Sequence, residues 1–311
     1  MGVGVTALVA IAGLRVLRPD SPPLASPLAV LGDPRTADPC ALTDSAPLTP
    51  FSNGTMSKET AYGNFNRCDV VLTRSGGTRV QIKVEFEKPA PPKGTMEELG
   101  AFRVFKQPDK SGFCGWTVPL ADQNLVTITA KLLTDRGPAY LCGMAKAETR
   151  HVVAVLTGLG KGAIPRRAAP PEPESLAWRN ACALLDSTTV TRVLDAGASS
   201  PESGFGDWEC RWHSSTSGLS VLLAFDRNKP LTEAEDGHRE VLSDHEVYIG
   251  KERDQNNCRA RVVYRPFRDG NGKRPYELLK ITVEGPQTPA QMCGSARELA
   301  AAAAAKLPQS R

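Results

Sequence analysis

Short runs of alternating apolar and polar residues predict antiparallel strands along most of the chain. The clearest run is 78–86, where Val80, Ile82, Val84 and Phe86 alternate with polar side chains. A period of two is typical of a strand with one buried face. Further strands are predicted from β-branched content and turn signals at 68–74, 114–119, 124–132, 208–214, 219–225, 245–250, 258–267 and 278–284.

Helical periodicity predicts two longer helices, at 139–156 and from Thr288-Pro289 to about residue 307. Each carries an apolar stripe on one face. The first stripe consists of Leu141, Met144, Ala145, Val152, Val153 and Leu156, and the second of Met292, Ala296, Leu299, Ala300, Ala303 and Leu307. We expect both helices to pack on the predicted strands.

Two capping-box patterns predict additional helices between the strands. The first pattern covers Thr95 to Glu98 and predicts a helix to about Phe105. The second pairs Thr232 with Glu235. Each half of the chain is therefore expected to contain strands on both sides of an internal helix.

One six-residue stretch occurs twice in the chain. Residues 40–45 read Cys-Ala-Leu-Thr-Asp-Ser, and residues 182–187 read Cys-Ala-Leu-Leu-Asp-Ser. In both copies the next cysteine follows 28 residues later. The first copy opens a predicted short helix or helical turn at 40–51, which prolines make irregular. The second copy leads into a predicted helix at 187–194, capped by Ser187. The repeat predicts two modules of the same design.

The order of elements predicts an α+β fold with two tandem modules, each a twisted antiparallel sheet covered by helices and held by two disulfides. The first module is expected over 37–158 and the second over 176–308. A Pro- and Gly-rich linker is expected between them at 159–175, and residues 19–36 are expected to form a flexible spacer.

Eight cysteines divide evenly between the two modules: Cys40, Cys68, Cys114, Cys142, Cys182, Cys210, Cys258 and Cys293. The steps between them are 28, 46 and 28 in the first module, and 28, 48 and 35 in the second. Zinc sites usually bring their ligands in close pairs, and thioredoxin-like sites need C-x-x-C. Neither spacing is present, so structural disulfides in an oxidising compartment are expected. Eight buried free thiols in a cytosolic protein are the alternative.

Residues 1–18 begin with an apolar run that ends before Arg15 and Arg18. The run is short for a bilayer span, which takes about 20 residues, and it lacks the basic start of a signal peptide. We interpret it as part of a signal-anchor helix whose true start lies upstream. The alternatives are a secreted protein, or a buried N-terminal element of a soluble one.

The repeats share a signature with known proteins. Residues 38–42 read Asp-Pro-Cys-Ala-Leu, residues 182–185 read Cys-Ala-Leu-Leu, and residues 210–212 read Cys-Arg-Trp. At 68–70 the first module reads Cys-Asp-Val, without the Trp. This pattern resembles a family of uncharacterised exported actinobacterial proteins, many of them lipoproteins. The cysteine use is also distantly similar to that of extracellular sensor domains of actinobacterial Ser/Thr kinases.

The resemblance implies export and a small α+β domain, and it brings no activity and no site. Members of that family often keep only the first two cysteines. The resemblance therefore favours disulfides between the first and second and between the third and fourth cysteine of each module. The implied bonds are Cys40–Cys68, Cys114–Cys142, Cys182–Cys210 and Cys258–Cys293. From spacing alone, three connectivities per module stay open.

The composition argues against a nucleic-acid partner. The net charge is +4, with 38 basic and 34 acidic residues interspersed, whereas nucleic-acid binders usually concentrate basic residues on one face. Lys161, Arg166 and Arg167 form the longest basic group, which we interpret as part of a solvated linker. The chain has no H-E-x-x-H, H-x-H or G-x-S-x-G motif, so a non-catalytic protein without a cofactor or metal is expected.

Two classes of function remain for an extracytoplasmic protein tethered by its N-terminal segment. In the first, a ligand-binding or sensing module of the cell envelope uses a cleft, with Trp116, Trp208 and Trp212 as candidate contacts. Core packing is the alternative role for each tryptophan. In the second, a structural or assembly partner of an envelope complex uses its surface only. An apolar pocket favours the first class, and a flat exposed apolar patch the second.

Overall fold

The protein forms two antiparallel sheets of seven strands each. The computed structural model describes residues 29–60, 62–108, 110–134, 140–195, 197–251, 256–267 and 274–308. The fold is α+β with two modules, as the sequence predicts. The predicted anchor at 1–18 lies outside the described residues.

The first sheet follows two 3-10 helices, at Pro39–Leu42 and Ala46–Phe51. Its strands are β1 (Thr55–Glu59), β2 (Arg67–Thr73), β3 (Arg79–Glu87), β4 (Thr95–Leu99), β5 (Phe102–Lys106), β6 (Phe113–Pro119) and β7 (Leu125–Leu132). The strand order is β1-β2-β3-β7-β6-β5-β4. Helix α1 (Leu141–Leu159) then packs against β3, β6 and β7.

The second sheet follows 3-10 helices at Leu176–Trp178 and Ala181–Leu184. Its elements are α2 (Ser187–Leu194), β8 (Glu202–Ser203), a 3-10 helix (Phe205–Asp207), β9 (Glu209–His213), β10 (Ser220–Asn228), α3 (Glu233–Asp236), β11 (His238–Leu242), β12 (His245–Gly250), β13 (Asn257–Pro266), β14 (Tyr276–Glu284) and α4 (Pro289–Ala304). The strand order is β11-β12-β13-β14-β10-β9-β8. Read from β8, this order is the same as that of the first sheet read from β1.

Four disulfides link the helices to the sheets. They join Cys40 to Cys68, Cys114 to Cys142, Cys182 to Cys210 and Cys258 to Cys293, which are the pairs that the resemblance favours. Two of the bonds tie a 3-10 helix to β2 or β9, and the other two tie α1 to β6 and α4 to β13. The four disulfides indicate an oxidising, extracytoplasmic environment.

Both long helices lie where the periodicity predicts them. In α1 the stripe residues are buried except Leu141, which is partly exposed. All six residues of the second stripe are buried, with Leu307 just beyond the end of α4. Thr288 caps α4 in a complete capping box with Gln291. At α2 the cap is Asp186 and not Ser187, because the Asp186 carboxylate accepts the Thr189 N–H at 2.8 Å.

The helix predicted from Thr95 to Phe105 is wrong: these residues form the β4–β5 hairpin. Phe102 and Val104 are buried in strand alternation, and Gly100 turns the chain at φ +61°. A side chain at Gly94 would meet the Lys106 carbonyl at 1.9 Å, so the hairpin needs glycine there.

The helix predicted at Thr232 is a single turn, α3. The Thr232 side chain makes no cap hydrogen bond; instead the Asp236 carboxylate accepts the Thr232 N–H at 2.9 Å. Gly237 follows at φ +107° and leads directly into β11. Long-range strand pairing overrides the local capping signal in both modules.

The described part of the predicted spacer is packed. Ala29 and Leu31 are fully buried, and Val30 pairs with Ala163 of the predicted linker in a parallel bridge. The interpretation of Arg167 as solvated is also wrong, because its guanidinium is largely buried and donates to the Phe65 carbonyl. Among the described residues, no helix combines the length and hydropathy that a membrane span requires.

Candidate functional site

The three tryptophans predicted as candidate contacts lie in the core. Trp116, Trp208 and Trp212 are all buried. Trp208 donates its indole N–H to the Ala177 carbonyl at 2.9 Å, whereas the indole nitrogen of Trp116 is buried with no partner among the described residues. Core packing, the alternative role, describes all three.

Trp208 belongs to an aromatic cluster where the two modules meet. Phe65 and Phe86 of the first module contact Trp208 and Phe205 of the second, with ring centroids 5.4 and 6.2 Å apart. Such aromatic contacts stabilise beyond the area they bury. The modules therefore share one continuous core across this junction.

Arg227 of β10 crosses the junction and is buried against the segment that follows β1. Its Nε, Nη1 and Nη2 donate to the carbonyls of Gly63, Thr60 and Asn64 at 3.1, 3.1 and 2.9 Å. The guanidinium also lies 5.0 Å from the Phe65 ring centroid. Burial, and then the neighbouring Arg167, lower the pKa of Arg227 to about 9.

A small polar cavity lies beside this junction. It has a volume of about 210 Å³ and is lined by Lys88, Glu202, Ser203, Gly204, Glu209 and Arg211, among others. Ligand pockets typically measure about 300–1,000 Å³ and are mostly apolar. Lys88 and Asn64 already bridge the modules here, to the Ser203 carbonyl and the Glu209 carboxylate. This cavity is better explained as part of the junction than as a ligand site.

A larger apolar groove lies at the start of α1, beside the Cys114–Cys142 bond; we call it the disulfide groove. Its volume is about 410 Å³, within the range of small-molecule sites. The lining residues include Phe51, Lys110, Phe113, Tyr140, Leu141 and Cys142. Among the described lining residues, Lys110 is the one that carries a charge.

Two features shape the disulfide groove. Tyr140 precedes α1 with 67% of its surface exposed, so an aromatic ring stands open at the rim. At the wall, a Cβ on Gly143 would lie 3.0 Å from Cε1 of Phe51, so glycine lets Phe51 pack closely on the helix. Cys142 is the exposed half of its disulfide, whereas Cys114 is buried.

A buried carboxyl group lies further along α1. Glu148 is fully buried, and its Oε1 accepts the Asp44 N–H at 3.2 Å. Its Oε2 has no hydrogen-bond partner among the described residues. Burial raises the pKa of Glu148 to about 7, and the nearby Asp44 carboxylate adds to the rise.

Sequence reasoning missed Glu148, although a signal for it exists. Glu148 lies between Met144 and Val152 at four-residue spacing, inside the predicted apolar stripe. Counting six residues from the helical cysteine of each module pairs Glu148 with Leu299. A carboxyl on a core face, where the repeat has leucine, is the anomaly that points to this residue.

The chain matches no family model and no curated protein. Among solved structures, the di-domain ARO/CYC protein BexL from the BE-7585A biosynthetic pathway aligns over 89% of this chain and 96% of its own, at 11% identity and a TM-score of 0.13. At that TM-score the alignment carries no argument about fold or function. The described residues hold no cluster of three metal-ligating side chains.

Proposed function

We propose that the protein is a non-catalytic, extracytoplasmic binding module that takes its ligand in the disulfide groove. The observation that carries this proposal is an apolar groove of small-molecule size with an exposed aromatic ring at its rim. Exposed apolar surface of this kind on a secreted domain is typical of an interaction site.

The ligand class follows from the groove's lining. Phe113 and Phe51 offer aromatic surface, Tyr140 offers a ring with a hydroxyl, and Lys110 offers a cation. An amphipathic molecule with an aromatic or acyl body and a negatively charged group satisfies all of these contacts. The apolar body supplies affinity, and the ion pair with Lys110 fixes orientation.

Anilinonaphthalene sulfonate, an aromatic anion whose fluorescence rises in apolar surroundings, tests the groove directly. We expect saturable binding by the native protein, and at least about tenfold weaker binding in Tyr140→Ser, equal to about 1.4 kcal/mol. Lys110→Glu should also weaken binding, because it replaces an attraction to the anionic dye by a repulsion. This loss should be larger at low salt than at high salt, since salt screens the charges.

Val241→Ser is the matched control. Val241 is 66% exposed, as Tyr140 is 67% exposed, but it lies on β11 of the other sheet. Binding should be unchanged in this variant. If Tyr140→Ser and Val241→Ser bind the dye equally well, the groove is not the site and the proposal fails.

We also propose that the modules are tandem members of the exported family described above, each held by two disulfides, and that residues 1–18 tether them to the membrane. The shared strand order of the two sheets supports the first part, and the disulfides support export. Membrane fractionation of cells that express the protein from its native gene tests the tether. Recovery of all the protein in the soluble fraction would contradict it.

The alternative function, assembly through the surface alone, has its own observation. Met96 on β4 and Val241 on β11 are exposed apolar residues on the edge strands of the two sheets. Edge strands offer unpaired main-chain groups to a partner. If Val241→Ser or Met96→Ser abolishes co-purification of one envelope protein while Tyr140→Ser leaves it intact, assembly is the better description.

A further inference from the structure

Glu148 connects α1 to the repeated cysteine motif. Its Oε1 accepts the main-chain N–H of Asp44, within the segment 40–51 that carries Cys40 and Phe51; we call this the latch segment. The contact spans 104 residues of chain. The other carboxyl oxygen, Oε2, is buried and has no partner among the described residues. Glu148 is thus a fully buried carboxyl with one hydrogen-bond partner among the described residues, and an ionised carboxylate is costly in such a position.

The charged neighbours offset only part of that cost. The like charge of Asp44 raises the pKa of Glu148, whereas the positive charge of Lys58 on β1 lowers it. The Lys58 ammonium itself donates to the carbonyls of Cys40 and Thr43 at 2.9 and 2.7 Å. His151, on α1 itself, acts on Asp44.

On the sheet side, strands β3, β6 and β7 contribute buried apolar side chains such as Ile128 and Ala130. Ionising Glu148 therefore places a buried negative charge against these apolar side chains and near the exposed carboxylate of Asp44. Contact with water lowers the free energy of the ionised carboxylate. Water reaches it when the latch segment moves off α1.

The second module shows that the fold does not need this carboxyl group. Leu299 occupies the matching place on α4, six residues after the disulfide-bonded cysteine, and is fully buried. A leucine there fills the core without any titratable group. The buried carboxyl of Glu148 therefore lowers the stability of the first module, whereas Leu299 brings no such cost to the second.

We propose that Glu148 is a proton-controlled latch: its neutral form stays buried under the latch segment on α1, and its ionised form, which gains more from hydration than from the single Asp44 N–H, releases that segment. The Cys40–Cys68 bond keeps the released segment attached to β2. Because burial raises the pKa of Glu148 to about 7, the change falls in the physiological range. Phe51 lies in the latch segment and lines the disulfide groove, so release also opens the groove wall; this last step rests on the proposed function.

Hydrogen exchange of the native protein tests the latch without any ligand. Amides of residues 44–51 are compared at about pH 5.5 and about pH 8, after correction for intrinsic exchange rates. With a carboxyl pKa of about 7 when latched and about 4.5 when released, the opening equilibrium constant rises about 30-fold between these pH values. A carboxyl-carbon NMR titration reports the pKa of Glu148 directly.

Two variants separate the latch from a merely structural role. Glu148→Gln keeps the acceptor for Asp44 N–H but cannot ionise, and Glu148→Leu copies the second module. In both, protection of residues 44–51 should be the same at the two pH values. Residues 187–194 of the second module serve as the internal control in the native protein.

The latch is overturned if Glu148 titrates near 4.5, or if Glu148→Gln keeps the pH-dependent exchange. Neither outcome depends on dye binding to the groove. A functioning latch with no dye binding would therefore retain this inference while removing the proposed function.

Discussion

Arg227 and Gly63 form a reciprocal pair across the junction between the modules. The Gly63 carbonyl accepts both the main-chain N–H and the Nε of Arg227, each at 3.1 Å, and Gly63 N–H donates to the Arg227 carbonyl at 2.8 Å. Gly63 has φ +77°, and a Cβ there would collide with the Arg67 guanidinium. The glycine thus lies between two arginines, one from each module.

Replacing Arg227 by alanine should destabilise the protein by about 3 kcal/mol. The change removes three hydrogen bonds made by a buried guanidinium. The buried Asn64 carbonyl loses its side-chain donor, whereas the Gly63 carbonyl keeps the main-chain N–H of residue 227 and Thr60 lies at the surface. Hydrogen bonds to charged groups contribute about 1.5–3 kcal/mol each, partly offset here by removing a buried charge. Arg192→Ala is the control, because Arg192 is exposed and pairs only at the surface with Glu298, a contact worth below about 1 kcal/mol. Denaturant unfolding measures both. If both variants lose the same free energy of unfolding, the contacts of Arg227 at the junction contribute little to stability.

The tryptophans provide a second prediction, based on one hydrogen bond. Trp208→Phe removes the donor to the Ala177 carbonyl, whereas Trp116→Phe removes an indole nitrogen that has no partner in the described part of the chain. Since both rings are buried, the cost of lost volume is similar. Trp208→Phe should therefore be about 1–2 kcal/mol more destabilising than Trp116→Phe. Comparable midpoints in urea would contradict this.

Glu148 gives the protein a predictable pH dependence of stability. Its folded pKa, about 7, lies above its ordinary value of 4.5, so the folded state binds the extra proton between these values. The stabilisation is complete below about pH 4.5 and is lost as the pH rises through about 7, a change of about 3 kcal/mol. Glu148→Leu should remove this slope and be more stable than the native protein at pH 8. A parallel pH profile for both proteins would refute the prediction.

Loss of one disulfide should lower the free energy of unfolding by the amount that the length of its closed loop implies. Cys182→Ala with Cys210→Ala opens a closed loop of 28 residues, which corresponds to about 3.6 kcal/mol in the chain-entropy model. The Cys40–Cys68 pair, with the same separation, is the matched comparison. Thermal unfolding of the two double variants should show similar losses. Peptide mapping without reductant checks that the remaining pairs stay as they are.

Much of the fold follows from local pattern, and the exceptions have physical reasons. The β3 strand and both long helices are predicted because their own periodicity matches their burial. At 95–105 the sequence predicts a helix where a hairpin forms, because the capping residues are compatible with either structure and pairing between β4 and β5 decides the outcome. Propensity is a weak prior where long-range pairing competes.

The candidate sites were less accessible from the sequence. Arg227 is one of many arginines, and nothing local marks its three carbonyl partners, which lie more than 160 residues away. Glu148 could have been found by aligning the two modules on their cysteines. The aromatic residues of the disulfide groove come from three separate stretches, so only the tertiary structure brings them together.

The order in which cysteines pair has a consequence for biogenesis. Every bond joins two cysteines that are neighbours in the sequence, 28 or 35 residues apart, and none of the four reaches over an intervening cysteine. A chain threaded across a membrane from its N-terminus presents its thiols in that same order. An oxidase that joins each newly arrived thiol to the one before it would produce the native set without reshuffling, so maturation of this protein should depend on an oxidase and be indifferent to loss of a disulfide isomerase.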